Sequence, residues 1–271
     1  MPTHIDSIAF IGGGNMASAL IGGLIRSGQA PSSLQVVEPD AGQRLRLASD
    51  FGVRAQAQAD AALADARLVV WAVKPQSFRA AATPCGAHVS QALQLSVMAG
   101  VRCATIEQFS GSARIVRSMP NTPALIGRGI AGLYATAAVR ADERALVEQL
   151  LAPTGQTLWV EREADLDAVT ALSGSGPAYV FYFVEAMMAA AAEMGLTPEQ
   201  GRRLALATFD GATALAAQSS EPVATLRERV TSKGGTTHAA LQALESAGVK
   251  PAFIAALKAA QQRAKELGDE F

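Results

Sequence analysis

The sequence predicts an α/β N-terminal half built on a mostly parallel sheet, followed by an all-α C-terminal half. Three observations carry that reading. Short β-branched runs alternate with amphipathic stretches as far as residue 160, a glycine-rich turn follows the first run directly, and beyond residue 163 strands give way to Ala-, Leu- and Met-rich helical patterns. Together they point to a Rossmann-type domain over residues 1–162 and a helical domain over residues 163–271.

The strand candidates are 8–11, 34–37, 68–73, 93–97, 114–117 and 156–160, with helix candidates between them at 15–27, 41–51, 58–65 and 141–152. The second half offers helices near 165–172, 177–195, 198–219, 222–230, 237–247 and 251–267. Many carry small apolar residues on most faces, which means burial against other helices. So short a segment has little interior for so much apolar surface, and a second copy of the chain is expected to supply the missing partner, making this the dimerisation domain. Phe181, Met187 and Met188 are expected in the core. Glu185 and Glu193 interrupt the apolar stretch 178–196, so it reads as a buried helix, not a membrane span.

Composition excludes several classes. The 271 residues are 49% hydrophobic and 17% charged, which requires a folded globular chain. A net charge of −1 without a basic run argues against a nucleic-acid partner. Two cysteines, Cys85 and Cys103, make no disulfide framework or metal motif, and residues 1–6 lack the basic region of an export signal. A cytoplasmic protein with no metal is the expectation.

The strand 8–11 runs into Gly12-Gly13-Gly14-Asn15-Met16-Ala17, a G-x-G-x-x-A turn opening a helix, and the acidic Glu38 ends the next strand. Gly12 permits the tight turn, Gly14 lets backbone N–H groups approach a pyrophosphate, and Ala17 lets the helix pack close to the sheet. This predicts a nicotinamide dinucleotide, NADPH or NADH. Glu38 would hydrogen-bond a free ribose 2′-hydroxyl and repel a 2′-phosphate by ~4 kcal/mol per unit charge at ~4 Å and an effective dielectric of ~20. Arg44 and Arg46 could offset that, so the expectation is dual use with NADH no worse than NADPH. Two further clusters fall at the same sheet edge: Ala72-Val73-Lys74-Pro75, and Met119-Pro120-Asn121-Thr122-Pro123, whose prolines fix a rigid loop that could place Asn121 beside a nicotinamide.

In the helical half, Ser173-Gly174-Ser175-Gly176-Pro177 reads as a helix–helix turn, with Pro177 the first helical residue and Ser175 or Gly176 its cap. The run Thr231-Ser232-Lys233-Gly234-Gly235-Thr236-Thr237-His238 precedes a helix and makes an anion site sized for a carboxylate. The two threonine hydroxyls are either caps or substrate ligands. His238, at an early helical position, reads as facing solvent or capping the helix rather than as catalytic, and His4 and His88 have no constellation around them.

Between Pro75 and Ser232 there is no lysine, and His88 is the one histidine. A hydroxy-acid dehydrogenase generally needs a positioned His or Lys for the alcohol proton, whereas a protonated C=N bond is already electrophilic and can be reduced by orientation plus one hydroxyl. The residues therefore fit an imine reductase better than a 3-hydroxy-acid-type dehydrogenase, and only the completeness of the 231–237 loop stands against a non-catalytic dinucleotide-binding protein.

The five motifs at 12–17, 72–75, 119–123, 172–178 and 231–237, in this order over essentially the whole chain, resemble pyrroline-5-carboxylate reductase. The resemblance implies NAD(P)H-dependent reduction of 1-pyrroline-5-carboxylate to L-proline, the last step of proline biosynthesis, by a homodimer interlocked through its C-terminal helices and often assembled into decamers. Carried onto this chain, it implies that Gly12 to Ala17 hold the pyrophosphate and that Ala72, Val73, Lys74 and Pro75, with Val97, Met98 and Ala99, line the dinucleotide. Asn121 would lie near the nicotinamide. Gly235, Thr236 and Thr237 would bind the substrate carboxylate beside Ser232, Lys233 and Gly234, with the Thr237 hydroxyl reaching the ring nitrogen as the catalytic contact. Glu163 would be a substrate-side acid. Lys233 departs from the family's usual proline, and Glu38 from the small polar or basic residues common in NADPH-preferring relatives.

Overall fold

The structure is a computed structural model that describes residues 7–270; His4, with the rest of residues 1–6, and Phe271 lie outside the described residues. The chain divides into two compact units, one running up to Ser175 and resuming at Ala260, the other Gly176–Ala259.

The first unit holds an eight-stranded sheet of order β3-β2-β1-β4-β5-β6-β7-β8. Its strands are β1 (Ile8–Ile11), β2 (Leu34–Val37), β3 (Ala55–Gln56), β4 (Leu68–Trp71), β5 (Leu93–Ser96), β6 (Ile115–Met119), β7 (Gly129–Ala135) and β8 (Gly155–Trp159). Ile8 pairs with Leu34 on one side and Leu68 on the other, both in parallel. Of the seven adjacent pairs only β6–β7 is antiparallel, with Ser118 opposite Leu133. The mostly parallel sheet expected from the sequence is therefore present, and its first six strands follow the doubly wound dinucleotide-binding order.

Strand alternation sorts the core into two layers. Phe10, Leu68 and Leu95 face one way, against Leu20, Ile21 and Leu24 of α1 (Asn15–Arg26), Leu47 of α2 (Ala41–Phe51), and Val147 and Leu150 further along the chain. Ile11, Val69 and Trp71 face the other, with Phe78 of α3 (Phe78–Ala82), Val89 of α4 (Gly86–Val89) and Ile106 of α5 (Cys103–Ser110). The remaining helices of this unit are α6 (Ala141–Leu151) and α7 (Asp165–Val169).

Several features differ from the sequence reading, and α3, α4 and α5 were not expected as helices. β7 was not expected, because glycines break its hydrophobic run; those glycines are steric, since a Cβ on Gly132 would lie 2.6 Å from Val169 Cγ1. The two-residue β3 is too short to leave a periodic signal. The stretch expected as a helix at 58–65 is a 3-10 turn, Ala61–Asp65, capped by Asp60. And the serine–glycine motif is not a break between helices: α7 continues through a π-helical turn, Thr170–Gly174, into α8 (Gly176–Glu193). Ser175 N–H reaches back to Thr170 O at 2.8 Å. Pro177 has no N–H to give Ser173 O four residues earlier, and the Asn121 Nδ2 donates to that carbonyl instead, at 3.1 Å.

The second unit is helical: α8, α9 (Pro198–Gln218), α10 (Val223–Arg229), α11 (Thr236–Ser246) and the start of α12 (Val249–Glu270). Here the expectation of a core fails for single residues: Phe181 is 59% and Met187 39% exposed, and Met188 is half-buried. Among the described residues, the apolar faces of Phe181 and Met187 are left largely uncovered. Among the described residues no helix is long and apolar enough to cross a membrane.

Candidate active site

The glycine turn ends β1 at the carboxyl edge of the sheet. Gly12 takes φ +98°, and a Cβ there would lie 2.7 Å from Ala72 O, so the sharp turn and the approach of the fourth strand both demand glycine. Its N–H donates to Val37 O at 2.8 Å, tying the turn to β2. Ala17 is fully buried, as close packing of α1 on the sheet requires. Gly14, the N-cap of α1, is exposed, has open space where a Cβ would stand, and offers no side-chain cap; Asn15 is exposed and Met16 half-buried. The first-turn amides of α1 thus carry no side-chain cap, as a pyrophosphate site needs.

Beside the turn lies an apolar cavity of about 490 Å³, lined by Ile11, Gly12, Val37, Pro39, Val73 and Ser77 among others. It opens at the carboxyl ends of β1, β2 and β4, where doubly wound sheets bind their ligands, and it suits an adenosine. The residues present therefore fit a dinucleotide. Pro39, Ser77 and the neighbouring Ala80, Ala81 and Pro84 were missed by sequence reading; the one signal was the run of small residues after Pro75. A larger hollow, about 680 Å³, lies along β2 and β3 and contains none of the expected site residues.

The Glu38 carboxylate accepts from Gly13 N–H at 2.8 Å and from Asp40 N–H at 2.9 Å. Arg44, expected as a possible counter-charge for a 2′-phosphate, instead donates to the carbonyls of Glu38 and Pro39 at 2.9 and 2.7 Å, and Arg46 is exposed. Lys74 is exposed at the head of a 3-10 turn, Pro75–Ser77, with Ala72 and Val73 half-buried before it. Val97 and Ala99 are half-buried after β5, while Met98 is part of the core, so only the backbone at Met98 is offered to a ligand. Asn121 is 91% buried, and both ends of its amide are committed: Nδ2 to Ser173 O, and Oδ1 accepting Ile130 N–H at 3.0 Å. It fixes the shape of the 119–123 loop.

Glu163 sits in a charged cluster. Its Oε1 accepts from Cys103 N–H, at the N-terminus of α5, and from the Arg117 guanidinium, both at 2.7 Å. Arg117 is almost wholly buried, and its Nε has no partner. Burial pushes the Glu163 carboxyl up, but the two donors outweigh it and hold the group below the ordinary glutamate value. The same burial, with the Glu163 charge nearby, raises the Cys103 thiol far out of the nucleophilic range. Asp167 forms a two-pronged pair with Arg102, at 3.0 and 3.2 Å, over which Gly268 packs. Two ion pairs thus pin residues 163–167, one to the segment that follows β5 and one to β6.

In the second unit, Gly234 takes φ +77° and Gly235 is the N-cap of α11. Gly235 N–H closes the turn onto Ser232 O at 3.0 Å, and a Cβ on Gly235 would lie 2.7 Å from the Ser232 hydroxyl. Thr236 and Thr237 are the first two helical residues, and neither hydroxyl caps the helix. Of the two roles open to them, capping is thereby removed. Ser232, Lys233, Gly234 and Thr236 are exposed, and Gly235, Thr237 and His238 half-buried. α1 and α11 share this device: a glycine N-cap with no side chain on the first-turn amides, whereas α2 and α9 are sealed by Asp40 and Thr197. Each open terminus can receive an anion.

Residues 163–267 match the family described as pyrroline-5-carboxylate reductase dimerisation, and residues 7–100 match that described as NADP oxidoreductase, coenzyme F420-dependent. The chain is 43% identical to the pyrroline-5-carboxylate reductase of Pseudomonas aeruginosa, over 97% of each chain. It belongs to the pyrroline-5-carboxylate reductase family. The family member from Pasteurella multocida is 39% identical over 96% of this chain and 97% of its own. The solved pyrroline-5-carboxylate reductase of Coxiella burnetii superposes with a TM-score of 0.89 at 38% identity, covering 97% of this chain and 99% of its own. The pyrroline carboxylate reductase of Plasmodium falciparum, solved with NADP bound, superposes at 0.87 with 28% identity over 99% of both chains.

Proposed function

We propose that this pyrroline-5-carboxylate reductase reduces the C=N bond of 1-pyrroline-5-carboxylate to L-proline with NADPH or NADH, the last step of proline biosynthesis. The observation that carries this reading is the uncapped N-terminus of α11, with two threonines whose hydroxyls do no capping. When bound, the reduced nicotinamide supplies the hydride. The amides of Thr236 and Thr237 take the imine's carboxylate, Gly235 N–H being committed to Ser232 O, and the Thr237 hydroxyl hydrogen-bonds the ring nitrogen. The reading needs no histidine or lysine base on α8, which has neither.

We assign substrate binding to Glu163, Ser232, Lys233, Gly234, Gly235, Thr236 and Thr237, with Glu163 kept ionised by Arg117 and Cys103 N–H. Cofactor binding falls to the 12–17 turn, Glu38, residues 72–75, residues 97–99 and Asn121, the last by shaping its loop. The functional division is residues 1–162 for the dinucleotide and 163–271 for substrate and dimerisation. The homodimer forms through the C-terminal helices and associates further into a decamer, in the cytoplasm. Thr237→Ala tests the assignment: loss of a hydrogen bond to a charged group lowers kcat/KM for the imine by about 10- to 100-fold, and the dissociation constant for NADH stays unchanged. Loss of NADH binding in this variant would overturn it.

A further inference from the structure

We propose that this chain prefers NADH to NADPH, and that Glu38 sets the preference through a turn whose own carboxylates occupy the donors a 2′-phosphate would need. The inference rests on the dinucleotide reading above.

Glu38 follows the last residue of β2, and its neighbours Val37 and Pro39 both line the cavity at the carboxyl edge of the sheet. In doubly wound sheets that is where the ribose 2′ position lies. A phosphate there needs backbone N–H groups or cations. Three backbone donors of this turn are already taken by carboxylates: Gly13 N–H and Asp40 N–H by Glu38, and Gln43 N–H, at the head of α2, by Asp40 at 2.7 Å. Of the two nearby cations, Arg44 spends its Nη1 on the carbonyls of Glu38 and Pro39 and so braces the turn from its own side, while Arg46 lies exposed on α2. A 2′-phosphate would meet two carboxylates.

A free 2′-hydroxyl meets the reverse. A carboxylate offers about four lone-pair sites, and the two backbone donors leave Glu38 able to accept a hydroxyl proton as well. Gly13 preserves this geometry: a Cβ there would lie 2.7 Å from Leu47 Cδ1 and 3.3 Å from Glu38 Cβ, displacing the side chain from the amide that holds it.

The test is equilibrium binding of NADH and of NADPH to the full chain, read by nicotinamide fluorescence with no imine present. NADH binds about tenfold or more tightly than NADPH. Glu38→Ser strengthens NADPH binding and closes the gap, and Arg44→Ala, which loosens the turn, weakens both dinucleotides alike. NADPH binding as tightly as NADH to the unaltered chain overturns the proposal, as does an Arg44→Ala effect confined to NADPH. The ratio for the unaltered chain decides the matter even if Glu38→Ser does not fold. A chain that binds NADH selectively yet leaves the imine unreduced supports this preference while overturning the proposed function; failure to bind either dinucleotide overturns both.

Discussion

In the first unit both faces of the sheet are covered, and Ile8, Phe10, Trp71 and Leu95 are fully buried; in the second, only Val184, Ala191, Gly201 and Ala205 are buried among the described residues. The second unit instead leaves Phe181, Tyr182, Leu204, Leu215 and Ile254 between 40 and 70% exposed. Burying such a side chain is worth about 1.5–3 kcal/mol, so the helical unit forgoes a large stabilisation unless another chain covers it. The match of residues 163–267 to a dimerisation family says what kind of surface this is. The same residue types stand for a finished core in one region and for an interface in the other.

The comparison can be broken most sharply at Phe181. Phe181→Glu puts a charge on the uncovered face, and sedimentation is expected to show loss of association, with stability falling by about 3 kcal/mol or more per chain. If Phe181 were an ordinary surface residue, the change would cost no more than about 0.5 kcal/mol and leave the oligomer intact. In the first unit, the buried ion pair is the sensitive point. Arg117→Ala leaves Glu163 partly buried without its cation and costs about 3 kcal/mol, read from urea midpoints.

A smaller effect follows from the depressed Glu163 carboxyl. Its pairing stabilises the fold fully above the ordinary glutamate range and is lost as pH falls through the lower folded value, so the stability advantage over Glu163→Gln should shrink below about pH 4. An advantage that instead grew in acid would contradict the assigned pairing. Smallest of all is Leu45→Ser on α2, an exposed position in the finished unit; its unfolding midpoint should shift by no more than about 0.5 kcal/mol equivalent.

What the sequence made legible follows the same division. The glycine turn, Glu38, and the ends of α2 are local: Asp40 caps, Gly52 terminates at φ +69°, and both can be read within a few residues. The pairing of Glu163 with Arg117 spans 46 positions and leaves no periodic trace. The π-helical turn depends on Asn121, 52 residues from the carbonyl to which its Nδ2 donates. β7 was hidden because its glycines answer to neighbours such as Val169 and Ala124, not to strand propensity. For Phe181 and Met187, hydropathy announces burial but cannot say which chain provides it.

The most direct test of the central claim is dinucleotide oxidation by the purified full chain with 1-pyrroline-5-carboxylate, run beside oxidised cofactor with 3-hydroxy acids. Imine-dependent loss of NADH absorbance with one proline formed per NADH consumed is the predicted result. No imine turnover by a chain that binds NADH, or turnover of a 3-hydroxy acid instead, would contradict it.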